Sequence, residues 1–399
     1  MNIRVEASAL AGTVTAPSSK SCAHRLLIAS ALSGESCTVS NIPQSEDVAA
    51  TLDCLSALGA DYAITENTVR FTGRAQECGS VFHCRESGSS LRFLLPVAAA
   101  LTDCTEFRGS PRLIERGIGE YEHVLPMHGV EIQKTADSFR TNGRLRAGEY
   151  SIRGDMSSQF ASGLLMALPL VEGDSLLRVL PPVESRPYID LTMDVLRRFG
   201  IIIEERADGL FFLRGGQSYQ SRDTVAEGDW SNAAVLYALK AMGAEIEING
   251  LNQNSLQGDK ACLWYFDRLS ASPAELDVSD HPDLAPLLLC LAALNHGGRL
   301  TGTHRLRLKE SDRTHTMAQE LAKFGADIQV DDNSIDIKYK PLHAPTELLH
   351  CHNDHRIAMA LTVLCSRFGG TIEGADCVGK SWREFFDVMK EIGLKVYGI

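Results

Sequence analysis

One kind of segment occurs six times in this chain of 399 residues, and that repetition constrains the fold more than anything else in it. Each copy has a polar, often serine-rich start, then an apolar helical stretch, usually closed by glycine. The copies are SKSCAHRLLIASALSG, SGSSLRFLLPVAAALTD, SSQFASGLLMALPLVEG, DWSNAAVLYALKAMG, HPDLAPLLLCLAALNHGG and NDHRIAMALTVLCSRFGG. Their starts fall near Ser21, Ser89, Ser158, Ser231, Asp283 and Asp354, mostly about seventy residues apart. Ser or Asp suits an N-cap because its side-chain oxygen accepts an orphan backbone N–H. Glycine, such as Gly34 in the first copy, suits the close because it adopts the left-handed conformation without penalty. Helices this apolar on every side are expected to be buried.

A short strand is expected after each helix: SCTVSNI, CTEFRG, SLLRVL, AEIEING, RLTGTH and TIEGAD. A second helix follows in most copies and ends at Gly59, Gly129, Gly200, Gly325 or Gly393. The segment after that glycine alternates, as in ADIQV and IIIEE, which fits a half-buried strand. Only the fourth unit departs, since CLWYFDRLSASPAELDVS is shortened and lacks its glycine. Six α/β units of this size predict an α/β protein of two domains, three units in each, with one crossing near residues 225–228.

Hydrophobic residues make up 44% of the chain, enough for a sizeable core. The start, MNIRVEAS, lacks the basic patch and apolar run of a signal peptide, and no eighteen apolar residues run together. Eleven cysteines are scattered without a CxxC, which reads as reduced thiols rather than a disulfide framework. A cytoplasmic protein is expected, with no membrane partner. The net charge of −12 argues against nucleic acid as a partner, where a basic footprint is the rule. Small anions are still within reach if the cations are gathered locally.

Helix starts favour anions, because unsatisfied N–H groups and the dipole both attract negative charge. Three of the six starts carry more. PSSKSCAHR puts Lys20 in the opening turn, with Ser21 and Arg25 four apart on one face; a plain N-cap with a surface cation accounts for it equally well. DMSSQF offers the Ser157 and Ser158 hydroxyls and the Gln159 amide. NDHR places His355 and Arg356 at the mouth of a buried helix. Cys351, His352 and His355 invite a metal reading, but no second ligand cluster supports it. The densest cation cluster is HRLRLKESDR, residues 304–313. Read as a strand, it sets Arg305, Arg307 and Lys309 on one face, where they repel unless an anion or carboxylate answers them. Leu306 and Leu308 then mark a buried opposite face, against the alternative of a solvated sheet edge. Glu310 and Arg313 follow. Taken singly, Arg116, Tyr188, Asp283 and Lys380 read as ordinary structural residues.

Together, PSSKS…R, SGSSLR, PRLIERGI, SSQF, ESRPYID, HPD, RLRLKESDR, NDHR and the late Lys380 resemble the 5-enolpyruvylshikimate-3-phosphate synthase family of enolpyruvyl transferases, in order and through essentially the whole chain. The resemblance implies two domains, each of three α/β units about a pseudo-threefold axis, with the active site in the interdomain cleft. It also returns the N-terminal strand to the second domain, so the expected domains are 19–225 and 1–18 plus 226–399. The implied reaction transfers the enolpyruvyl group of phosphoenolpyruvate to the 5-hydroxyl of shikimate 3-phosphate by addition and elimination. By resemblance, Ser21, Arg25, Ser157, Ser158, Ser185, Tyr188, Arg305 and Lys309 hold shikimate 3-phosphate. Lys20, Gly88, Arg116, Gln159, Arg313, His355, Arg356 and Lys380 surround phosphoenolpyruvate. Asp283, Glu310 and Lys20 are the implied proton carriers, in an assignment the sequence leaves open. Neither metal nor organic cofactor is implied, the expected state is a monomer, and inhibition by glyphosate is expected.

Three positions depart from the family pattern. Ser18 stands where glycine is frequent, Glu86 where asparagine often precedes the SGSS-like turn, and Arg305 where some members have asparagine. The sister enzyme acting on UDP-N-acetylglucosamine is the nearest alternative, but it uses a cysteine in the loop matched by GSPRLIERG, which has none. A non-catalytic anion-binding relative is the other alternative, disfavoured because binding alone requires neither Asp283 nor Glu310.

Overall fold

The computed structural model describes residues 1–33, 35–73 and 81–399; the expected closing residue Gly34 lies outside them. All six apolar segments are helices: Lys20–Leu32, Gly88–Leu101, Ser158–Ala167, Trp230–Ala241, Ala285–Leu294 and His355–Phe368. They are buried on nearly every side, as in the unbroken buried runs Cys22–Leu32 and Ala285–Ala293. Five have a side-chain cap, on the expected residue at Asp354, one residue before it at Ser157 and two before it at Ser19, Ser87 and Asp229. Ser19 accepts from Cys22 N, Ser87 from Ser90 N, Ser157 from Gln159 N, Asp229 from Asn232 N and Asp354 from Arg356 N. The fifth differs: its helix begins at Ala285 after Leu284 with no side-chain cap, which leaves Asp283 outside the helix and available for other contacts.

The second helices end as the glycines predict. Gly59, Gly129, Gly200, Gly325 and Gly393 all have φ between +80° and +103°, a conformation that strains any residue with a Cβ. In the shortened fourth repeat, Cys262–Ala271 ends at Ser272 in an extended conformation instead.

The chain forms two compact units, 18–227 and 1–17 with 228–399. Within the 18–227 unit, three four-stranded sheets share one plan. In the second, Val81–His83 runs parallel to Cys104–Arg108, which pairs antiparallel with Ser138–Asn142, itself antiparallel to Glu131–Lys134. In the first sheet the outer parallel strand is Thr224–Val225, from the far end of the unit, beside Cys37–Ser40. The other unit closes on itself in a similar way. Ala11–Thr15 runs parallel to Glu245–Asn249 in a sheet of two strands, since the short fourth repeat has no hairpin. Ile3–Glu6 takes the third place in the sixth sheet, antiparallel to Gly370–Glu373 on one side and Lys395–Gly398 on the other. Among the described residues no helix is long and apolar enough to cross a membrane.

Ile3 faces Ile372 and Gly398 across its two neighbours and is 2% exposed. Ile3→Ala should therefore cost about 2–3 kcal/mol through lost burial and the cavity left behind. Urea unfolding measures this, and a loss under about 0.5 kcal/mol, the range of ordinary surface changes, would mean that the strand is not integral to the unit.

Candidate active site

In the 18–227 unit the helix starts bring polar groups together. Lys20 opens its helix and its Nζ lies 2.7 Å from Asp47, which sits near the start of the helix Glu46–Ala57. Arg25, one turn further in, is fully enclosed. Its Nε donates to Thr192 at 2.7 Å, Nη1 to the Ser21 carbonyl at 2.7 Å and Nη2 to the Tyr188 carbonyl at 3.0 Å. Burial pushes its pKa down to about 10, so it remains a cation at neutral pH. Tyr188 follows Ser185, a buried residue with φ of 57° that turns the chain into the helix Arg186–Arg198.

Gly88, the first residue of its helix, stands where three polar side chains converge. A Cβ there would lie 3.0 Å from Arg92 Nη1, 3.3 Å from Arg116 Nη2 and 3.5 Å from Gln159 Oε1. Arg92 donates to Gln159 Oε1 at 2.7 Å and to the Gly117 carbonyl at 2.9 Å, and Gln159 Nε2 donates to Ser89 at 3.0 Å. Ser157 and Ser158 stand at the cap and first position of the same helix as Gln159. The backbone at Arg92 is held by a compensation. Pro96 has no N–H for the carbonyl four residues back, so the Tyr121 hydroxyl donates to Arg92 O instead, at 2.7 Å. Gly163 permits this approach, since a Cβ there would lie 2.2 Å from the Tyr121 hydroxyl.

In the other unit the ionic centre is Arg313, 1% exposed as a side chain. Its Nε lies 2.8 Å from Asp354, Nη1 2.8 Å from Asp283 and Nη2 2.9 Å from Glu310. Asp283 also receives Lys309 at 3.2 Å and faces Arg356 at 3.7 Å. Burial alone would raise the Asp283 pKa, but Lys309, Arg313 and Arg356 together hold it well below the usual carboxylate range. Burial lowers the Lys309 pKa, with Asp283 opposing. Arg356 is fixed by the Ser231 carbonyl at 2.9 Å and by Asn232, and Lys380 Nζ donates to the Asn353 carbonyl at 2.7 Å. His355 is the buried first residue of its helix, beside Arg356.

The strand expected across residues 304–313 is not one. His304–Leu308 is a 3-10 turn, entered at Gly302 with φ of 72°. The preceding strand Gly297–Thr301 already ends its pairing at Thr301 opposite Ser334, so residues 304–308 have no ladder to continue. At three residues per turn the charges do not share a face. Arg305 is buried and donates to the Ser279 carbonyl, whereas Arg307 reaches out to the Asp331 carbonyl. Leu306 is buried as expected, but Leu308 is 50% exposed. The metal alternative gains no support: among the described residues no group of three or more His, Cys, Asp or Glu is arranged to hold an ion.

Three residues of these clusters escaped the sequence reading. Asp47 and Asp354 look like ordinary helix-start carboxylates, and only their contacts with Lys20 and Arg313 mark them. Arg92 was visible as the last residue of SGSSLR, and nothing local shows that it reaches Gln159.

Such a fold of six small α/β repeats is that of the enolpyruvyl transferases. It matches an EPSP synthase from Acinetobacter baumannii with a TM-score of 0.81 at 23% identity, covering 100% of both chains. The enolpyruvyl transferase NikO from Streptomyces tendae matches with a TM-score of 0.76 at 17% identity, over 99% of this chain and 98% of that one. Sequence is more specific: residues 5–389 match the profile of the EPSP synthase (3-phosphoshikimate 1-carboxyvinyltransferase) family, and the chain belongs to that family. A Clostridium kluyveri 3-phosphoshikimate 1-carboxyvinyltransferase is 34% identical, covering 98% of this chain and 97% of the relative. One from Clostridium perfringens is 35% identical, covering 97% of each.

A depressed carboxylate links the cluster to pH. Asp283 has a folded pKa below its unfolded value of about 3.9, so its pairing stabilises the protein above that value and is lost as pH falls through the folded pKa. Asp283→Asn should lower stability by about 2 kcal/mol at pH 7, the scale of charged hydrogen bonds. The gap to the wild type should shrink steadily below about pH 4, as unfolding at several pH values would show. A gap that does not change with pH would mean that Asp283 is not held as an anion by its neighbours.

Proposed function

We propose that this chain transfers the enolpyruvyl group of phosphoenolpyruvate to the 5-hydroxyl of shikimate 3-phosphate, releasing phosphate, as a cytoplasmic monomer. Family membership and the names of the Clostridium relatives support the reaction. The observation that carries the mechanism is the pairing of Asp283 and Glu310 with the same buried Arg313. Beyond holding Arg313, two carboxylates among the cations oppose simple anion binding by repulsion, whereas they suit proton transfer.

In this reading Ser21, Arg25, Ser157, Ser158, Ser185, Tyr188, Arg305 and Lys309 hold the acceptor. Lys20, Gly88, Arg116, Gln159, Arg313, His355, Arg356 and Lys380 surround phosphoenolpyruvate. Asp283 accepts the proton of the 5-hydroxyl as its oxygen attacks the central enolpyruvyl carbon. Glu310, which takes up a proton once substrate anions engage its cations and closure desolvates it, delivers that proton to the methylene, giving a tetrahedral ketal phosphate. Phosphate then leaves with the proton that Asp283 had accepted, the methyl proton returns to Glu310, and Lys20 shares the proton work. The charge arrangement makes the timing physical. While Lys309, Arg313 and Arg356 attend Asp283, it is a weak base. Substrate anions that take up those cations return basicity to Asp283, so it becomes a base when there is a hydroxyl to deprotonate.

A coupled assay for phosphate release tests the reaction directly. Shikimate 3-phosphate should turn over, shikimate far more poorly because its phosphate contacts go unfilled, and UDP-N-acetylglucosamine not at all. Equal turnover of shikimate and its 3-phosphate would overturn the acceptor assignment.

Glu310→Gln retains the shape beside Arg313 but cannot move the proton, and should slow turnover by roughly 10²–10⁴. Affinity for shikimate 3-phosphate, read by calorimetry, should hold or improve as a negative charge is removed. Near-normal turnover would remove Glu310 from the chemistry.

A further inference from the structure

Two thiols lie side by side in the sixth repeat, apart from the proposed chemistry. Cys377 Sγ donates toward Cys351 Sγ at 3.5 Å. Cys351 follows the strand Leu349–His350 and begins the turn that leads to the Asp354 cap, while Cys377 lies in the 3-10 segment Ala375–Lys380. Each therefore sits a few residues from a proposed site group. Asp354 clamps Arg313, and the Asn353 carbonyl receives Lys380.

We propose that Cys351 and Cys377 are a redox-active pair whose oxidation to a disulfide by peroxide reversibly slows the enzyme. Closing the sulfurs from 3.5 Å to about 2.05 Å moves them together by roughly 1.5 Å, shared between two side chains. Chemistry and geometry then give the consequence. As a thiol, Cys351 lies 2.9 Å from both the Glu373 and Gly374 carbonyl oxygens and donates its hydrogen to them. A disulfide sulfur has no hydrogen, so the same oxygens repel it and the turn loses its anchor. That turn has little slack: His352 and Asn353 are both left-handed, with φ of 50° and 57°. A shift at Cys351 therefore passes to Asn353 and Asp354, and with them to Lys380 and Arg313.

The step balances. Donation from Cys377 favours the Cys351 thiolate against burial and holds its pKa below the usual thiol range, while Cys377 is pushed up by that same contact and by burial. The Cys351 thiolate attacks one peroxide oxygen, the O–O bond breaks, and sulfenic acid and hydroxide result, the hydroxide becoming water with the proton that Cys351 gave up on ionising. The Cys377 sulfur then attacks the sulfenic sulfur, the S–O bond breaks, and hydroxide leaves with the Cys377 proton as water. Two thiols are oxidised by two electrons and one peroxide is reduced to two waters.

The test treats the whole protein with hydrogen peroxide, alkylates the remaining thiols and maps peptides by mass spectrometry. A linked peptide pair containing Cys351 and Cys377 is expected, with phosphate release falling about tenfold or more, since displacements of about 1 Å at a site have effects of that size. Dithiothreitol should restore activity. Cys351→Ser and Cys377→Ser should each retain the activity of the reduced protein and resist peroxide, with circular dichroism confirming that they fold; Cys377→Ala is the second variant should serine perturb the loop. Alkylation of both thiols after peroxide, sulfenic acid at Cys351 without the crosslink, a crosslink with unchanged turnover, or variants as sensitive as wild type would each overturn the proposal. The crosslink is independent of the proposed reaction, whereas the loss of turnover rests on it. Absence of phosphate release from the reduced protein would defeat the reaction assignment, and the peptide map would still decide the crosslink.

Discussion

The guanidinium of Arg313 is the constraint around which the second unit's polar residues are arranged. An arginine side chain does not shed its proton, and removing a charge from water costs several kcal/mol unless partners compensate. Three carboxylates do so from three segments: Asp283 ahead of its helix, Glu310 in the loop beyond the 3-10 turn, and Asp354 at the cap of the sixth helix. Because each comes from a different place in the chain, satisfying Arg313 fixes those segments against one another. Lys309 and Arg356 join through Asp283. The groups that suit proton transfer and the groups that suit anion binding are thus positioned by the same pairings.

The 18–227 unit solves a related problem with fewer full charges. Its helix starts are stitched by hydrogen bonds from arginine to carbonyls and amides, with Arg25 and Arg92 each enclosed near an aromatic ring. Arg25 lies 5.0 Å from the Phe93 centroid, and Arg92 5.3 Å from that of Phe160. Rings and carbonyls hold a cation without neutralising it, so the positive field is retained for an anion. The Pro96, Tyr121 and Gly163 arrangement shows how far the backbone is adapted to this. A missing helix hydrogen bond, a hydroxyl that replaces it and a glycine that makes room all meet at the Arg92 carbonyl.

The two halves of the ionic chemistry therefore differ in what they ask of pH. The depressed Asp283 carboxylate in the 1–17 and 228–399 unit makes its stability depend on acid pH, whereas Arg25 remains charged throughout the neutral range even with its pKa lowered by burial. The central helices are mostly apolar beyond their second turns, which keeps the charges they contribute to these clusters near their starts. Such helices cannot present a polar face anywhere else without opening the core.

By itself, the sequence determined the six buried helices, the strands that follow them, the five left-handed glycines and the short fourth repeat. Each of these is set by contacts within a few residues: apolar periodicity, a cap oxygen, or a φ that a Cβ would strain. The motifs also pointed to Lys20, Arg25, Gln159, Glu310, Arg313 and Arg356 as polar residues worth following, because polar groups beside an apolar run are conspicuous; Asp283 stood out only through the family resemblance. Tertiary structure decided the remainder. Residues 304–308 form a 3-10 turn because the neighbouring ladder ends at Thr301, a fact carried by Ser334 on another strand. Arg313 is read differently once Asp354, forty-one positions away, is seen to clamp it. Arg92 acquires a role only when Gln159, sixty-seven positions on, accepts its hydrogen bond. Local pattern fixes how a segment folds, but the partner of a buried charge is chosen by whatever the fold brings within about 3 Å of it, and sequence spacing does not encode that distance.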